Sequence, residues 1–297
     1  MTNRALNKHW AKRWLVQPIE TAAVHGLFKI FGRMSVDRAS AIGGFIGRSI
    51  GPHLSVSRRA RRNLRRIFPD MPAKRIEEVV RGMWDNLGRV AAEYPHLDRM
   101  DERVDLVGEE HLHAALARGK PIIFFGGHLA NWEITPSMAA KRGAPINLIY
   151  RAANNPSVDA LVRRSRGDAA AAGLIPKGAE GARIAMRKLS RGEHLGILAD
   201  QKLNSGIPVP FFGRDAMTTS AIALLALRFN CAVLPAQIER LDGARFRLTL
   251  HPPLELPRTA DHAADVRAIT TRVNELIEDW IRQRPEQWLW LHNRWPD

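Results

Sequence analysis

Cysteine is almost absent from this chain. Of the 297 residues only Cys231 is a cysteine, and it lies in the apolar stretch CAVLPA. One cysteine excludes an internal disulfide and a zinc site of the Cys-x-x-Cys type. Its apolar neighbours predict a buried thiol rather than a catalytic nucleophile. His111 and His113 have no further ligands near them in sequence, so we expect no metal, and nothing in the sequence indicates a nucleotide or flavin cofactor.

Long uninterrupted apolar runs are also missing. The first apolar stretch, residues 14–31, is broken by Glu20, His25 and Lys29, and no small-residue cleavage site follows it. We therefore expect neither a cleaved signal peptide nor a clean transmembrane span, since a span needs about 18 apolar residues in a row. An interfacial helix or a short tilted anchor is the expectation, with the chain on the cytoplasmic side.

Acidic residues are scarce in the first quarter of the chain. Fourteen Lys and Arg residues precede residue 67 against only Glu20 and Asp37, so this quarter carries +12 of the net charge of +15. A basic segment of this kind binds either nucleic acid or an anionic membrane surface. Apolar stretches at helical spacing lie between the charges, with few aromatics arranged to stack on bases. We therefore predict a basic, membrane-associating helical region over 1–70 and no nucleic-acid partner.

The remaining residues, 71–297, have the pattern of one α/β domain. A helix is predicted from Pro72 and Ala73 to Pro95. Short apolar runs then alternate with helical stretches, which predicts a mixed, largely parallel central sheet flanked by helices. The predicted strands are PIIFF, INLIY, LGILA, AVLPA and FRLTL, the last antiparallel to its predecessor, and a long helix precedes a tryptophan-rich tail.

The stretch GGHLANWE, residues 126–133, follows the first of these strands. Chemistry collects where strands of such a sheet end, so His128 is placed as a candidate base. The two glycines are expected to allow a sharp turn, and Asn131 is the expected N-cap of a helix that starts at Trp132. Glu133 would then hydrogen-bond the imidazole, fix its tautomer and stabilise its positive charge.

No nucleophile accompanies this base. A Gly-x-Ser-x-Gly elbow is absent, and Cys231 has a core context. We infer that His128 takes its proton from a substrate hydroxyl. In a chain that associates with a membrane, such a base points to acyl transfer onto a lipid hydroxyl.

The octet matches the His-x-x-x-x-Asp/Glu signature of glycerolipid-type acyltransferases, and its Asn-Trp-Glu ending resembles the lipid A biosynthesis acyltransferases. The resemblance covers nearly the whole chain. Blocks that are similar to family segments in the expected order are RRNLRRIFPDMP, MWDNLGRVAAEYP, YRAANNPSVDALVRRSR, GEHLGILADQKLNSGIPVPFFG and PEQWLWLHNRW.

The resemblance also implies roles for particular residues. Arg166 matches the family's functional arginine, which stabilises the thioester oxyanion or holds a phosphate, with Arg163 as the substitute. Asp200 and Gln201 match an Asp-Gln pair at a strand end, and Asp200 is expected to position Arg166 or the acceptor. Backbone amides of residues 127–131 are the other candidate for the oxyanion, and Asn131 is among the residues expected to bind substrate. The tail is expected to close over the sheet.

The resemblance implies an inner-membrane enzyme that faces the cytoplasm of a Gram-negative bacterium. It would move an acyl chain from acyl carrier protein to a hydroxyl of a lipid A precursor. Three alternatives stay open: an acyltransferase for a lysophospholipid, ornithine lipid or glycolipid mannoside; a thioesterase-like hydrolase; and a catalytically silent membrane-binding protein.

Overall fold

A seven-stranded sheet forms the centre of the chain. The computed structural model describes residues 17–170 and 172–295, so Arg4, Lys8, Lys12 and Arg13 of the predicted basic region lie outside the described residues. The strands are β1 (Val104–Val107), β2 (Ile122–Gly126), β3 (Ile146–Tyr150), β4 (Gly173–Pro176), β5 (His194–Leu198), β6 (Ile207–Phe211), β7 (Arg214–Thr218), β8 (Ala232–Asp242) and β9 (Arg245–Leu250).

The strand order in the central sheet is β1-β9-β8-β2-β5-β3-β4, and only β8 and β9 pair antiparallel. The predicted α/β class with a mixed, largely parallel sheet is confirmed, as is the antiparallel placement of FRLTL. Strands β6 and β7 form a separate hairpin that the sequence pattern did not predict.

Ten α-helices surround the sheet in the described part of the chain. They are α1 (Gln17–Gly32), α2 (Val36–Ile50), α3 (Ser57–Ile67), α4 (Ala73–Glu93), α5 (Glu109–Ala117), α6 (Thr135–Ala140), α7 (Pro156–Ala170), α8 (Ala179–Ser190), α9 (Ala221–Phe229) and α10 (His262–Gln283). The predicted helix after Pro72 is confirmed as α4. None of the described helices combines the length and the apolar character that crossing a bilayer requires.

Strand β2 lies in the middle of the sheet and is buried along its whole length. Because side chains alternate between the two faces of a strand, its apolar run supplies both cores. Ile122 and Phe124 belong to the core that contains Met100 and Leu112, and Phe125 belongs to the core that contains the tail tryptophans. The continuous apolar run therefore fixes β2 rigidly, and the loop that follows it starts from a defined point.

All but the last residue of the glycine-rich run GGFIGRSIG lie in helix α2, and its glycines allow close helix packing. A Cβ atom on Gly47 would lie 2.1 Å from the Trp84 carbonyl oxygen of α4, and one on Gly43 would lie 2.4 Å from the Gly88 oxygen. Two backbones approach this closely only where side chains are missing. Helix α2 is thereby held against α4, which in turn contacts the loop after β2 through a hydrogen bond from Asn86 to the Ala130 carbonyl.

We predict that Gly47→Ala lowers the free energy of unfolding by about 1–3 kcal/mol, since an added methyl forces two packed helices apart. Gly26→Ala is the control, because nothing lies within 4 Å of a Cβ atom at that helical position. Better helix propensity should make the Gly26 variant as stable as the wild type or more stable, by up to about 1 kcal/mol. Urea unfolding of both variants checks this, and equal effects would contradict it.

Candidate active site

Two neighbouring parallel strands bring the candidate residues together. Gly126, the last residue of β2, pairs with Leu198, the last residue of β5, and the Ala199 amide donates to the Gly126 carbonyl at 3.0 Å. His128 and Asp200 each follow two residues after these strand ends. They therefore meet at the carboxyl edge of the sheet, although 72 positions separate them in sequence.

The imidazole of His128 is hydrogen-bonded to Asp200. Nδ1 lies 2.8 Å from Asp200 Oδ1, and the His128 backbone amide donates to Oδ2 at 3.0 Å. Glu133 was expected in this position, and on this contact the structure differs from the expectation. The partner of the imidazole is a carboxylate from the adjacent strand rather than one from the same loop.

The Asp200 carboxylate is fully buried and has a third donor, Trp288 Nε1 at 2.8 Å. Burial raises its pKa, but the charge of His128 and the hydrogen bond from His128 outweigh burial, so the pKa lies well below the ordinary value. Asp200 is therefore ionised at neutral pH. An ionised carboxylate on Nδ1 keeps the proton on that nitrogen and leaves the Nε2 lone pair as the basic position.

Glu133 belongs to a second charged pair. Arg166 donates to it from Nε at 2.7 Å and from Nη2 at 2.8 Å, and Tyr94 and Trp132 donate at 2.8 and 3.0 Å. Burial raises the pKa of Glu133, but these donors, Arg166 foremost, bring it below its usual value. The two pairs are neighbours, because the Trp132 ring lies edge-on to His128 with centroids 5.0 Å apart.

The guanidinium of Arg166 keeps one donor free. Burial lowers its pKa, but the bonds and charge of Glu133 reverse this and raise it above the ordinary value, so Arg166 stays charged. Its Nη1 is buried and has no hydrogen-bond partner among the described residues. A buried, charged donor without a partner is unfavourable in a resting protein and suits an anionic ligand group.

The loop between β2 and α6 departs from the predicted geometry. Gly126 and Gly127 do not adopt a left-handed conformation; Ala130 does, with φ 46°. Gln287 and Asn86 hold this residue, because the Ala130 amide donates to the Gln287 carbonyl at 3.1 Å and Asn86 Nδ2 donates to the Ala130 carbonyl at 3.0 Å. The sharp turn is therefore made by an alanine that the tail and α4 fix in place.

Asn131 was expected as a helix N-cap and as a substrate-binding residue, and the cap prediction is wrong. The next helix, α6, begins at Thr135 and not at Trp132, so Asn131 caps no helix. Its Oδ1 accepts from the Glu133 amide at 3.3 Å, and its Nδ2 donates to Glu93 at 2.8 Å. Glu93 is paired with Arg240, and Asn131 is fully buried in this network.

Gln201 contacts the base, whereas Arg163 is bonded elsewhere. Gln201 Nε2 lies 3.1 Å from His128 Nε2, which places Gln201 beside the basic nitrogen. Arg163 donates to Asp159 at 2.8 Å, is 52% exposed and makes no described contact with Glu133 or His128. Of the two candidate arginines, Arg166 therefore reaches the buried site.

Three residues near the base were not predicted as site residues: Tyr94, Trp288 and His292. Trp288 pairs with Leu129 through an isolated bridge, and the Leu289 amide donates to the His128 carbonyl at 3.2 Å. The tail therefore borders the loop, as the family block PEQWLWLHNRW had indicated. His292 and Tyr94 both lie within family blocks, PEQWLWLHNRW and MWDNLGRVAAEYP, but no local pattern singles out either residue as part of the site.

Two cavities of very different size adjoin these residues. The smaller, about 80 Å³, is bordered by Trp132, Glu133, Tyr150 and Arg166. The larger, about 1020 Å³, begins at Gln201 and runs between α8 and α9 to the start of α10. Its walls are mainly apolar, including Ala182, Ala185, Met186, Leu198, Leu203, Leu224 and Leu225. The site therefore combines a polar centre with a long hydrocarbon-lined cleft.

No group of three or more His, Cys, Asp or Glu side chains that could hold a metal occurs among residues 17–170 and 172–295. Cys231 is buried, as predicted, and burial raises the pKa of its thiol to about 12. A thiol with that pKa stays protonated at neutral pH and is a poor nucleophile.

The chain resembles proteins of one enzyme family. Residues 8–297 match the bacterial lipid A biosynthesis acyltransferase family. A lipid A biosynthesis lauroyltransferase of Escherichia coli is 27% identical over 244 residues, which cover 78% of this chain and 76% of the relative. A lipid A biosynthesis acyltransferase of Haemophilus influenzae is 26% identical over 245 residues, covering 78% and 73%. A phosphatidylinositol mannoside acyltransferase of Mycolicibacterium smegmatis is 23% identical over 298 residues, covering 96% and 90%.

We predict that Glu133→Gln lowers the free energy of unfolding by about 3–5 kcal/mol at neutral pH, because a buried guanidinium loses its counter-charge. The pKa of Glu133 is lowered in the folded protein. Its contribution is therefore complete above the ordinary carboxyl pKa of about 4.3 and is lost as the pH falls through the folded-state pKa. The difference between wild type and variant should narrow in acid.

The matched control is Glu78→Gln, which breaks the exposed pair with Arg75 and should change stability by less than about 1 kcal/mol. A second control is Glu133→Gln combined with Arg166→Met, which should recover much of the loss because no unpaired charge stays buried. Denaturant unfolding from pH 3 to 8 measures all four proteins. A small, pH-independent effect of Glu133→Gln would contradict the prediction.

Proposed function

Since the chain belongs to the bacterial lipid A biosynthesis acyltransferase family, we propose that it transfers a fatty acyl group from acyl carrier protein to a hydroxyl of a lipid A precursor. Acyl transfer follows from the family. The donor, the hydroxyl acceptor and the residues that act are the proposed parts. The observation that carries the mechanism is the His128–Asp200 contact at 2.8 Å. Gln201, which lies 3.1 Å from the basic nitrogen of His128, connects this pair to the hydrocarbon-lined cleft.

His128 is the proposed general base. The acceptor hydroxyl gives its proton to Nε2 as its oxygen attacks the thioester carbonyl, and Asp200 stabilises the imidazolium that forms. The tetrahedral intermediate then breaks the carbon–sulfur bond. The leaving thiolate takes the proton back from Nε2, so the base is regenerated and the products are an ester and a thiol.

Arg166 is the proposed oxyanion donor. The alternative was the backbone amides of the loop, but those of His128, Leu129 and Ala130 already donate to Asp200, Gly127 and Gln287. Arg166 has a buried Nη1 without a partner in the described part of the chain, and an oxyanion or phosphate fits such a donor. The role of Glu133 is then to hold Arg166 in position. Asn131 in turn fixes Glu133 by accepting a hydrogen bond from its backbone amide.

Only the larger of the two cavities has room for the fatty acyl chain of a substrate. The 80 Å³ cavity beside Glu133 is too small for a fatty acyl chain, whereas the 1020 Å³ cleft that starts at Gln201 is at the upper end of ligand-site volumes. The larger cleft is therefore the proposed site of the donor chain. The exposed Lys177 and Lys202 line the cleft beside Gln201, and their positive charge would attract an acidic carrier protein or a phosphate.

A membrane position is proposed from the surface of residues 19–54. Of the twelve large apolar side chains that the described residues expose, eight lie in this segment: Ile19, Leu27, Ile30, Ile42, Phe45, Ile46, Ile50 and Leu54. Lys29, Arg33, Arg38 and Arg48 lie among them in the sequence. Apolar side chains interspersed with cations suit an anionic bilayer surface. The inner membrane, on its cytoplasmic face, is the proposed location.

The central experiment measures acyl transfer from a set of acyl carrier protein thioesters to a purified lipid A precursor. We expect His128→Asn to lower kcat/KM by about 10²–10⁴-fold, since it removes the base. His113→Asn is the control, because that side chain is 64% exposed on helix α5 and lines neither cavity.

Other outcomes of this experiment identify the alternatives. Transfer to a phosphatidylinositol mannoside or a lysophospholipid, but not to the lipid A precursor, would keep the base and reject the acceptor; the Mycolicibacterium relative gives the first of these a specific basis. Free fatty acid without an acceptor would indicate a hydrolase. Unchanged transfer by His128→Asn would reject the mechanism.

The cleft assignment predicts an effect on donor length. Ala182→Trp places a large ring in the 1020 Å³ cleft and should lower kcat/KM for the longest donor about tenfold while sparing short donors. Ala268→Trp is the control, since Ala268 is an exposed helical alanine that does not line the cleft. An equal loss with every donor would place the acyl chain elsewhere.

The surface of residues 19–54 gives a second prediction. Phe45→Asp combined with Ile50→Asp should release the protein from vesicles that contain anionic lipid, because two apolar contacts are replaced by like charge. Val107→Asp is the control, being 46% exposed on a strand outside this surface. Vesicle flotation at low and high salt measures the binding, and unaltered flotation of the double variant would contradict the proposal.

A further inference from the structure

The basic nitrogen of His128 is not free in this structure. Because the ionised Asp200 keeps the proton on Nδ1, the lone pair lies on Nε2. That nitrogen is 3.1 Å from Gln201 Nε2, and an amide N–H donates to such a lone pair. Gln201 therefore occupies the one position of His128 that the reaction uses.

The same amide nitrogen reaches a second histidine. Gln201 Nε2 lies 3.0 Å from His292 Nε2, and the two imidazole rings have their centroids 5.5 Å apart. Lys177 Nζ lies 3.4 Å from Gln201 Oε1, which favours the amide orientation with oxygen toward the ammonium and both N–H groups toward the imidazoles. One amide group is thus shared between two ring nitrogens.

His292 is suited to accept this hydrogen bond at neutral pH. Burial lowers its pKa to about 4, so the ring is neutral and one nitrogen has a lone pair. Asn63 fixes the backbone on which it lies, since Asn63 Nδ2 donates to the carbonyls of Trp290 and His292 at 2.9 and 2.8 Å. The acceptor therefore has a defined position, set by helix α3 and the tail.

We propose that Gln201 occupies the place of the acceptor hydroxyl on the base, and that His292 is a positioning residue that retains Gln201 when the hydroxyl enters. One N–H of Gln201 then leaves His128 Nε2 and donates to the hydroxyl oxygen, while the other stays on His292. The hydroxyl proton faces the vacated lone pair. The inference rests on the proposed function in so far as His128 is its general base.

The arrangement separates the roles of the three residues. His128 receives the proton, and Gln201 contacts the acceptor oxygen. His292 touches neither substrate and acts only through Gln201. Removing His292 should therefore weaken acceptor use without affecting the donor, and its effect should vanish once Gln201 is gone.

The kinetic test compares wild type with Gln201→Leu, His292→Phe and the double variant. We expect each single variant to lower kcat/KM for the acceptor about tenfold, the worth of one hydrogen bond. His292→Phe should leave KM for the donor unchanged, because His292 does not line the proposed donor cleft. The double variant should resemble Gln201→Leu. His292→Gln restores an acceptor and should recover most activity, and His113→Phe is the surface control. Additive losses in the double variant, or no recovery by His292→Gln, would overturn the inference.

A second measurement does not depend on catalysis. In protein labelled with ¹⁵N-histidine, the His128 Nε2 resonance, assigned by its loss in His128→Asn, should move in Gln201→Leu and stay in place in His113→Phe. An unmoved resonance in Gln201→Leu would show that the amide is not on the base and would overturn the inference. If the resonance moves while no lipid hydroxyl is acylated, the contact of Gln201 with His128 stands, and the proposed function fails together with the acceptor role of Gln201.

Discussion

The hydrogen bonds to the buried Asp200 carboxylate are the interaction on which the rest of the site depends. Three donors converge on it: Nδ1 and the backbone amide of His128, and the Trp288 indole. A buried carboxylate is stable only with such partners, so strand β5, the loop after β2 and the tail are fixed relative to one another. The same contacts set the tautomer of His128. The carboxylate that orients the base therefore also holds the C-terminal tail in place.

Around this contact the two carboxylates of the site have separate tasks. Asp200 faces the imidazole, while Glu133 is enclosed by Arg166, Tyr94 and Trp132. In the proposed mechanism the first pair transfers a proton, and the second holds the guanidinium of Arg166 where negative charge develops. Behind them, a buried chain of polar contacts from Arg240 through Glu93 to Asn131 connects helix α4 with the loop. Since α4 also packs on α2, the same helix contacts both the apolar surface of residues 19–54 and the loop after β2.

Sequence reasoning predicted the parts of this arrangement that have local causes. Apolar runs predicted five of the seven strands of the central sheet, including the antiparallel β9 but not β1 and β4, and the strand ends indicated His128 and Asp200. The predicted hydrogen bond between His128 and Glu133 was wrong, because it was inferred from their closeness in sequence. The left-handed turn at Ala130 was also not predicted, since it depends on contacts with Gln287 and Asn86 that no local pattern encodes. The contact with Asp200 arises from the register of β2 with β5, which spacing along the chain does not reveal. The position of His292 beside the site likewise depends on a tertiary contact, the packing of the tail against the loop, which spacing along the chain does not reveal.

The most direct test of this account compares Asp200→Asn with Glu133→Gln in a single turnover with saturating acyl donor and acceptor. If Asp200 orients His128 and stabilises its imidazolium form, Asp200→Asn should slow acyl transfer by about 10⁴-fold. An amide at Nδ1 favours the tautomer with the proton on Nε2, which cannot act as the base. Glu133→Gln should slow it less, because the base stays intact and only the support of Arg166 is weakened. Wild-type rates in Asp200→Asn together with abolished transfer in Glu133→Gln would contradict the account and make Glu133 the partner of His128.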